Sequence, residues 1–245
     1  MEYSVENEEG KENLWNQVSL ALDSNDEDRV IALSKELSEA GDPRGSYTLG
    51  YVFQNKAIRL SDESPSQSRE NFIAAAHWYN RALSQGGNYL SHHALAQYYY
   101  FGSGGKYDFK LAYEHLKHSV EYQPVAKIMM AELLFLGLGT PKDVATARTL
   151  FAVAAAIGYP AAIVGLSRIE RAEKHYVRAI FYFFRALRVA IKLVFEDKYH
   201  PLLTGVGKRW HSFRLDWYEK MGSPLSHPND HSAVRSKRPP RDSHS

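Results

Sequence analysis

Two histidines one helical turn apart, His115 and His118, with Glu114 beside them, come nearest in this sequence to a metal site. Ligands at that spacing share a helix face and can begin a transition-metal site. However, His115 stands where Trp78 and Leu150 stand in similar segments, a packing position, so the pair reads as structural. His92 and His93 are adjacent and leave a helix in different directions, and the late histidines His227, His231 and His244 have no ligand spacing. The run Gly102-Ser103-Gly104-Gly105-Lys106 has the composition of a phosphate loop. A Walker loop requires Gly where Tyr100 stands and Ser or Thr where Tyr107 stands, so the run reads as a turn. There is no cysteine, which excludes thiolate catalysis, disulfides and cysteine-based zinc sites. No Gly-x-Ser-x-Gly elbow is present. The expectation is a protein that is not an enzyme, with no catalytic residue, metal or cofactor and no small-molecule substrate.

What these residues sit on is a repeat. From Ala126, small or apolar residues fall at Ala126, Met130, Ala131 and Leu134, one face of a helix. Gly137 and Gly139 end that helix and Asp143 caps the next, which carries Ala147, Leu150, Ala154 and Ala155 and stops at Gly158. One copy earlier, Ser91, Leu95, Ala96 and Tyr99 lead to Gly102 and Gly104, the cap Asp108, and then Ala112, His115, Ser119 and Val120. Gly45, Leu49, Gly50 and Phe53 pair in the same way with Ala75, Trp78, Ala82, Leu83 and Gly86. Between those two helices the serine-rich stretch 54–70 reads as an enlarged solvated loop. A fourth copy runs through Ala162, Leu166, Ser167 and Glu170 to Ala179, Tyr182, Ala186 and Leu187, with Arg171 to Lys174 in place of the glycine turn. Upstream, residues 13–22 and Asp26 to Gly41 supply another pair. Each hairpin can bury one face only against its neighbours, so the copies must stack.

These segments resemble the Sel1-like repeat, a relative of the tetratricopeptide repeat. The residues that carry the resemblance are Leu49-Gly50, Gly102-x-Gly104, Gly137-x-Gly139, Asp108, Asp143, Ala75-x-x-Trp78, Ala154-Ala155 and Gly158, and it covers about residues 26–190. It implies an all-α, right-handed α/α solenoid of four to five repeats whose first helices line a concave face. It also implies a bacterial adaptor or scaffold that binds a protein or peptide partner, in a regulatory, envelope-assembly or immunity-type role.

Helical phase then proposes the partner face: Tyr47, Tyr51, His93, Gln97, Tyr100, Glu132 and Arg168, with Ile128 and Val164 between them. The expected organisation is a flexible N-terminus over 1–10, the solenoid over 11–197, a capping segment over 198–222 and a basic disordered tail over 223–245. The helix read over 175–195 is apolar over most of its circumference and bears Arg178, Arg185 and Lys192 every seven residues. That stripe is a second candidate surface. The cap, carrying Trp210, Phe213 and Trp217, is expected to cover the apolar part. Residues 1–40 hold 11 acidic and 3 basic side chains, whereas 198–245 hold 9 basic and 4 acidic. Such polarity can steer partners, and an anionic membrane surface or nucleic acid is the alternative ligand for the basic end. The acidic start has no signal-peptide pattern, and the cations at 178–192 argue against a membrane span, so a cytoplasmic protein is expected.

Overall fold

Aspartates and prolines set where the helices begin. In the computed structural model, which describes the backbone of residues 2–196 and the side chains of 8–195, Asp26 accepts from Arg29 N, Asp108 from Leu111 N and Asp143 from Thr146 N. Pro43, Pro65, Pro124 and Pro160 each occupy the first turn of a helix, where a missing N–H costs nothing. The helices are α1 (Glu2–Asp23), α2 (Glu27–Glu39), α3 (Pro43–Arg59), α4 (Pro65–Ser84), α5 (Tyr89–Tyr100), α6 (Phe109–Ser119), α7 (Pro124–Leu136), α8 (Val144–Ile157), α9 (Pro160–Ala172) and α10 (Tyr176–Glu196). The described residues form helices and turns only.

Consecutive helices pair as α1–α2, α3–α4, α5–α6, α7–α8 and α9–α10, and the second helix of each pair packs on the first helix of the next. First helices also meet directly: α7 packs on both α5 and α9, and no two second helices pack comparably. The stack therefore draws together on its first-helix side. A spine of buried residues runs through it: Leu37, Leu49, Tyr79, Leu95, Leu116, Leu133, Phe151 and Ile163, one from each helix from α2 to α9.

The glycines at the crossings are there for space. A Cβ at Gly45 would lie 2.6 Å from the Ser34 carbonyl oxygen on α2, and one at Gly50 2.6 Å from the Tyr79 ring on α4. At Gly165 it would lie 2.5 Å from the ring of Phe151 on α8. A buried polar staple adds direction at the first two junctions: Ser38 Oγ and Ser46 Oγ are 2.6 Å apart, Ser46 donates to Gln85 Oε1 at 2.5 Å, and Gln85 Nε2 donates to the Ser38 carbonyl at 2.7 Å.

The structure corrects two expectations and supplies the geometry of a third feature. The stretch 54–70 is mostly helix: α3 continues to Arg59 and α4 starts at Pro65, because Ala57 is buried and its carbonyl accepts from Ser68 Oγ at 2.7 Å. Residues 2–10 belong to α1, which continues past Gly10 and carries an exposed Glu8–Lys11 pair at 2.8 Å. The missing glycine turn before α10 is supplied by Lys174, which takes the left-handed conformation at φ 64°. The expected cap over 198–222, with Trp210, Phe213 and Trp217, and the tail over 223–245 lie outside the described residues.

Candidate interaction surface

Tyr47 and Tyr51 lie one turn apart on α3. Tyr51 is 47% exposed, and Tyr47 is half-buried with its ring 5.6 Å from that of Tyr79. Tyr79 is buried and donates to Gln54 Oε1 at 2.8 Å, so the ring beneath Tyr47 is held at both ends. Burial pushes the Tyr47 hydroxyl above its ordinary pKa, and the nearby hydroxyls of Tyr51 and Tyr89 add to the shift. Tyr89 opens α5 behind the cap Asn88 and stacks on Tyr122 at 4.6 Å; Tyr122, in the turn before α7, is 66% exposed. Four tyrosines from two consecutive hairpins and the turn that follows them thus gather near the first-helix side. Tyr89 and Tyr122 were not picked out from sequence, because they precede the first small residue of their repeats and fall outside the helical phase.

Beside them stands a histidine ladder. His92 Nδ1 lies 2.9 Å from His115 Nδ1, and the His92 ring stacks on His118 at 4.2 Å. Tyr99 stacks on the far side of His115 at 5.7 Å. Burial, then the neighbouring His92 and His118, lowers His115 to about 4, so the His115 ring is neutral at pH 7. The contacts of His92 with His115 and His118 join α6 to α5. His93 points elsewhere and is mostly buried, its Nε2 being 3.1 Å from Gln97 Nε2.

Three residues assigned to the partner face are internal. Tyr100 is buried edge-on against Phe101 and Phe109, because the turn into α6 closes over the end of α5. Glu132 and Arg168 are 6% and 8% exposed and form an ion pair with each other between α7 and α9, with the guanidinium 5.4 Å over the Phe135 ring. Ile128 is fully buried as well. Helical phase gives the direction away from a residue's own hairpin; here α9 packs on α7 and fills that direction. The surface is therefore confined to the stretch over α3 and α5. The second candidate stripe is on the outside: Arg178, Arg185 and Lys192 are all exposed on α10.

Among the described residues, one group brings three metal-type ligands together: Glu170, Glu173 and His175. Arg148 already bridges both carboxylates and His175 Nδ1 lies 3.1 Å from Glu170, so the group acts as an ionic knot tying α8 to α9. Burial alone would raise the Glu170 pKa. The Arg148 hydrogen bond and charge, the charge of Arg178 and the His175 contact outweigh it and hold the carboxyl below its ordinary range. The glycine-rich turn between α5 and α6 borders a cavity of about 420 Å³ lined by Arg69, Tyr98, Tyr99 and Lys106. Gly104 is needed there because a Cβ would fall 2.0 Å from the Tyr98 hydroxyl.

The paired helices, the glycine crossings and the Asp108 and Asp143 caps stand where the repeat pattern requires them. The fold is a stack of paired helices. Two solved structures are similar to it. The crystal structure of a Sel1 repeat protein from Oxalobacter formigenes is 18% identical with a TM-score of 0.42, over 66% of this chain and 56% of that one. The structure of c5321, a protective antigen present in uropathogenic Escherichia coli strains and displaying an SLR fold, is 20% identical with a TM-score of 0.42, over 79% of this chain and 49% of that one. The chain spans about half the length of these Sel1-like proteins. No protein-family model matches the sequence, and no curated protein does.

Proposed function

We propose that this Sel1-like stack is a non-catalytic adaptor that holds a segment of another protein near its first-helix side, anchored by Tyr47, Tyr51, Tyr89 and Tyr122. The observation that carries the proposal is the gathering of four tyrosines from two hairpins and the turn that follows them, with Tyr89 stacked on Tyr122 and Tyr47 seated on the fixed Tyr79 ring. Tyrosine offers a large, stiff contact area and a hydroxyl, at the cost of only two side-chain torsions, and it is enriched among residues that dominate binding energy. Within this proposal the role is a regulatory, envelope-assembly or immunity-type one in the cytoplasm. The nucleic-acid alternative would use Arg178, Arg185 and Lys192 on α10 together with the basic residues of 223–245, which lie outside the described residues.

The triple variant Tyr51→Ala/Tyr89→Ala/Tyr122→Ala removes exposed or half-exposed rings and is expected to keep its melting temperature. Its affinity for a protein that the wild-type chain captures should fall at least about tenfold, since one anchoring ring alone commonly exceeds 1 kcal/mol. A captured partner that binds the triple variant as tightly as the wild type would refute the tyrosine surface.

A further inference from the structure

Helix α10 ends the described stack with most of its circumference in water. Ala179, Ala186 and Leu193, spaced by seven, form the buried strip, and among the described residues the only helix packed substantially against α10 is α9. Ser167 Oγ on α9 donates to the Ala179 carbonyl at 2.7 Å and fixes the contact. At about 100° per residue, the sector next to that strip is Phe183, Leu187, Ile180, Ile191 and Phe184 in angular order, all exposed. Phe195, 86% exposed, continues it. The following sector carries Arg188, Lys192, Arg185 and Arg178, with the exposed ring of Phe181 between Arg188 and Lys192, and the sequence holds no acid from Lys174 to Phe195. Arg178 lies 3.7 Å from the buried Glu170, and Arg185 and Arg188 make no ion pair among the described residues. An apolar patch this continuous marks an interaction site.

We propose that α10 is an interfacial helix that attaches the protein to an anionic lipid surface, its apolar sector entering the acyl boundary and its cations meeting the headgroups. Charge selects this occupant: a second copy would bring Arg185 and Arg188 toward their equivalents, whereas anionic headgroups neutralise them. Shape agrees, because the sector is a convex ridge on the last described helix, with no facing wall among the described residues. A fluid bilayer conforms to a ridge, whereas a protein must bring a matching groove. A wide apolar face beside a cationic one is the pattern of helices that lie in the membrane plane. No helix among the described residues is long and apolar enough to cross a membrane. This attachment is independent of the tyrosine surface and would leave that surface accessible.

The test is cosedimentation of the full chain with vesicles of phosphatidylcholine alone and of phosphatidylcholine with one quarter phosphatidylglycerol. Binding should be at least about tenfold tighter to the anionic vesicles and should weaken in 0.5 M salt. Arg185→Glu/Arg188→Glu should lose at least about tenfold of that binding. Phe183→Ser/Phe184→Ser should also lose it although its charge is unchanged, and both variants should keep the wild-type circular dichroism and melting temperature. Tyr51→Ala/Tyr89→Ala/Tyr122→Ala should bind vesicles as the wild type does, which separates this proposal from the partner surface. Equal binding to both vesicles, or none to either, would overturn it. So would unchanged binding by the phenylalanine variant, or a wild-type dimer that this variant converts to monomer.

Discussion

Truncating Glu132 to alanine should destabilise the protein by about 3–5 kcal/mol, because it leaves the Arg168 guanidinium in the interior without its carboxylate. Both side chains are 8% exposed, so little water can replace the lost group. The pair is also the polar link between α7 and α9, the first helices of consecutive repeats, where the rest of α7 is apolar from Ile128 to Phe135. Removing both charges tells a different story. Glu132→Met/Arg168→Met keeps the volume, avoids an unpaired charge and should recover most of the loss, since desolvation offsets much of what a buried pair gains. Urea unfolding of the two single variants and the double variant at pH 7.5 reads this as a double-mutant cycle. A cost below about 1 kcal/mol for Glu132→Ala would show that the pair is not buried as described.

Mild acid should weaken the fold well before carboxylates protonate. Burial lowers His93 to about 4, against 6.5 for a free imidazole, and its Nδ1 is buried without a hydrogen bond among the described residues. The folded chain thus binds the proton less readily than the unfolded chain. Stability from this residue is complete above pH 6.5 and is lost as the pH falls toward 4. At 1.36 kcal/mol per pKa unit, the full loss amounts to about 3 kcal/mol. His92 and His115 shift the same way, so the ladder adds to the slope, less strongly because it is more exposed. Glu170, held below its ordinary range, extends the loss further into acid. Unfolding free energies at pH 7.5 and 4.5 should differ by about 2 kcal/mol more in the wild type than in His93→Gln, whatever the variant's stability at neutral pH. An identical pH slope in the two proteins would place His93 in solvent.

Much of the fold was legible because the repeat places residues that have few substitutes. Gly45 and Gly50 sit where another helix comes within 3 Å of a Cβ, and Asp108 and Asp143 sit where a helix needs an acceptor. The stretch 54–70 was misread because its serines look like loop residues. Ser68 instead bonds the Ala57 carbonyl inside the α3–α4 hairpin, a contact no local pattern announces. The candidate surface was half legible. Phase located Tyr47 and Tyr51 on α3, yet it also proposed Glu132 and Arg168, since nothing local to α7 reveals that α9 closes over it. Tyr89 and Tyr122 become neighbours only through stacking between a helix start and a turn, and His92 meets His115 across 23 residues of sequence. For the apolar sector of α10 the sequence predicts a cap over 198–222, because a terminal repeat needs a cover, and that segment lies outside the described residues.

Every functional proposal here requires that each hairpin lean its second helix on the first helix of the next. The absence of cysteine makes that contact directly measurable. Ser38 on α2 and Ser46 on α3 have side-chain oxygens 2.6 Å apart, close to what a disulfide asks of two sulfurs. In Ser38→Cys/Ser46→Cys, mild oxidation should form one internal bond in the folded monomer, seen as loss of both thiols to a maleimide label without any dimer. Two thiols that stay reactive in the folded, oxidised protein would mean that consecutive hairpins do not stack in this way.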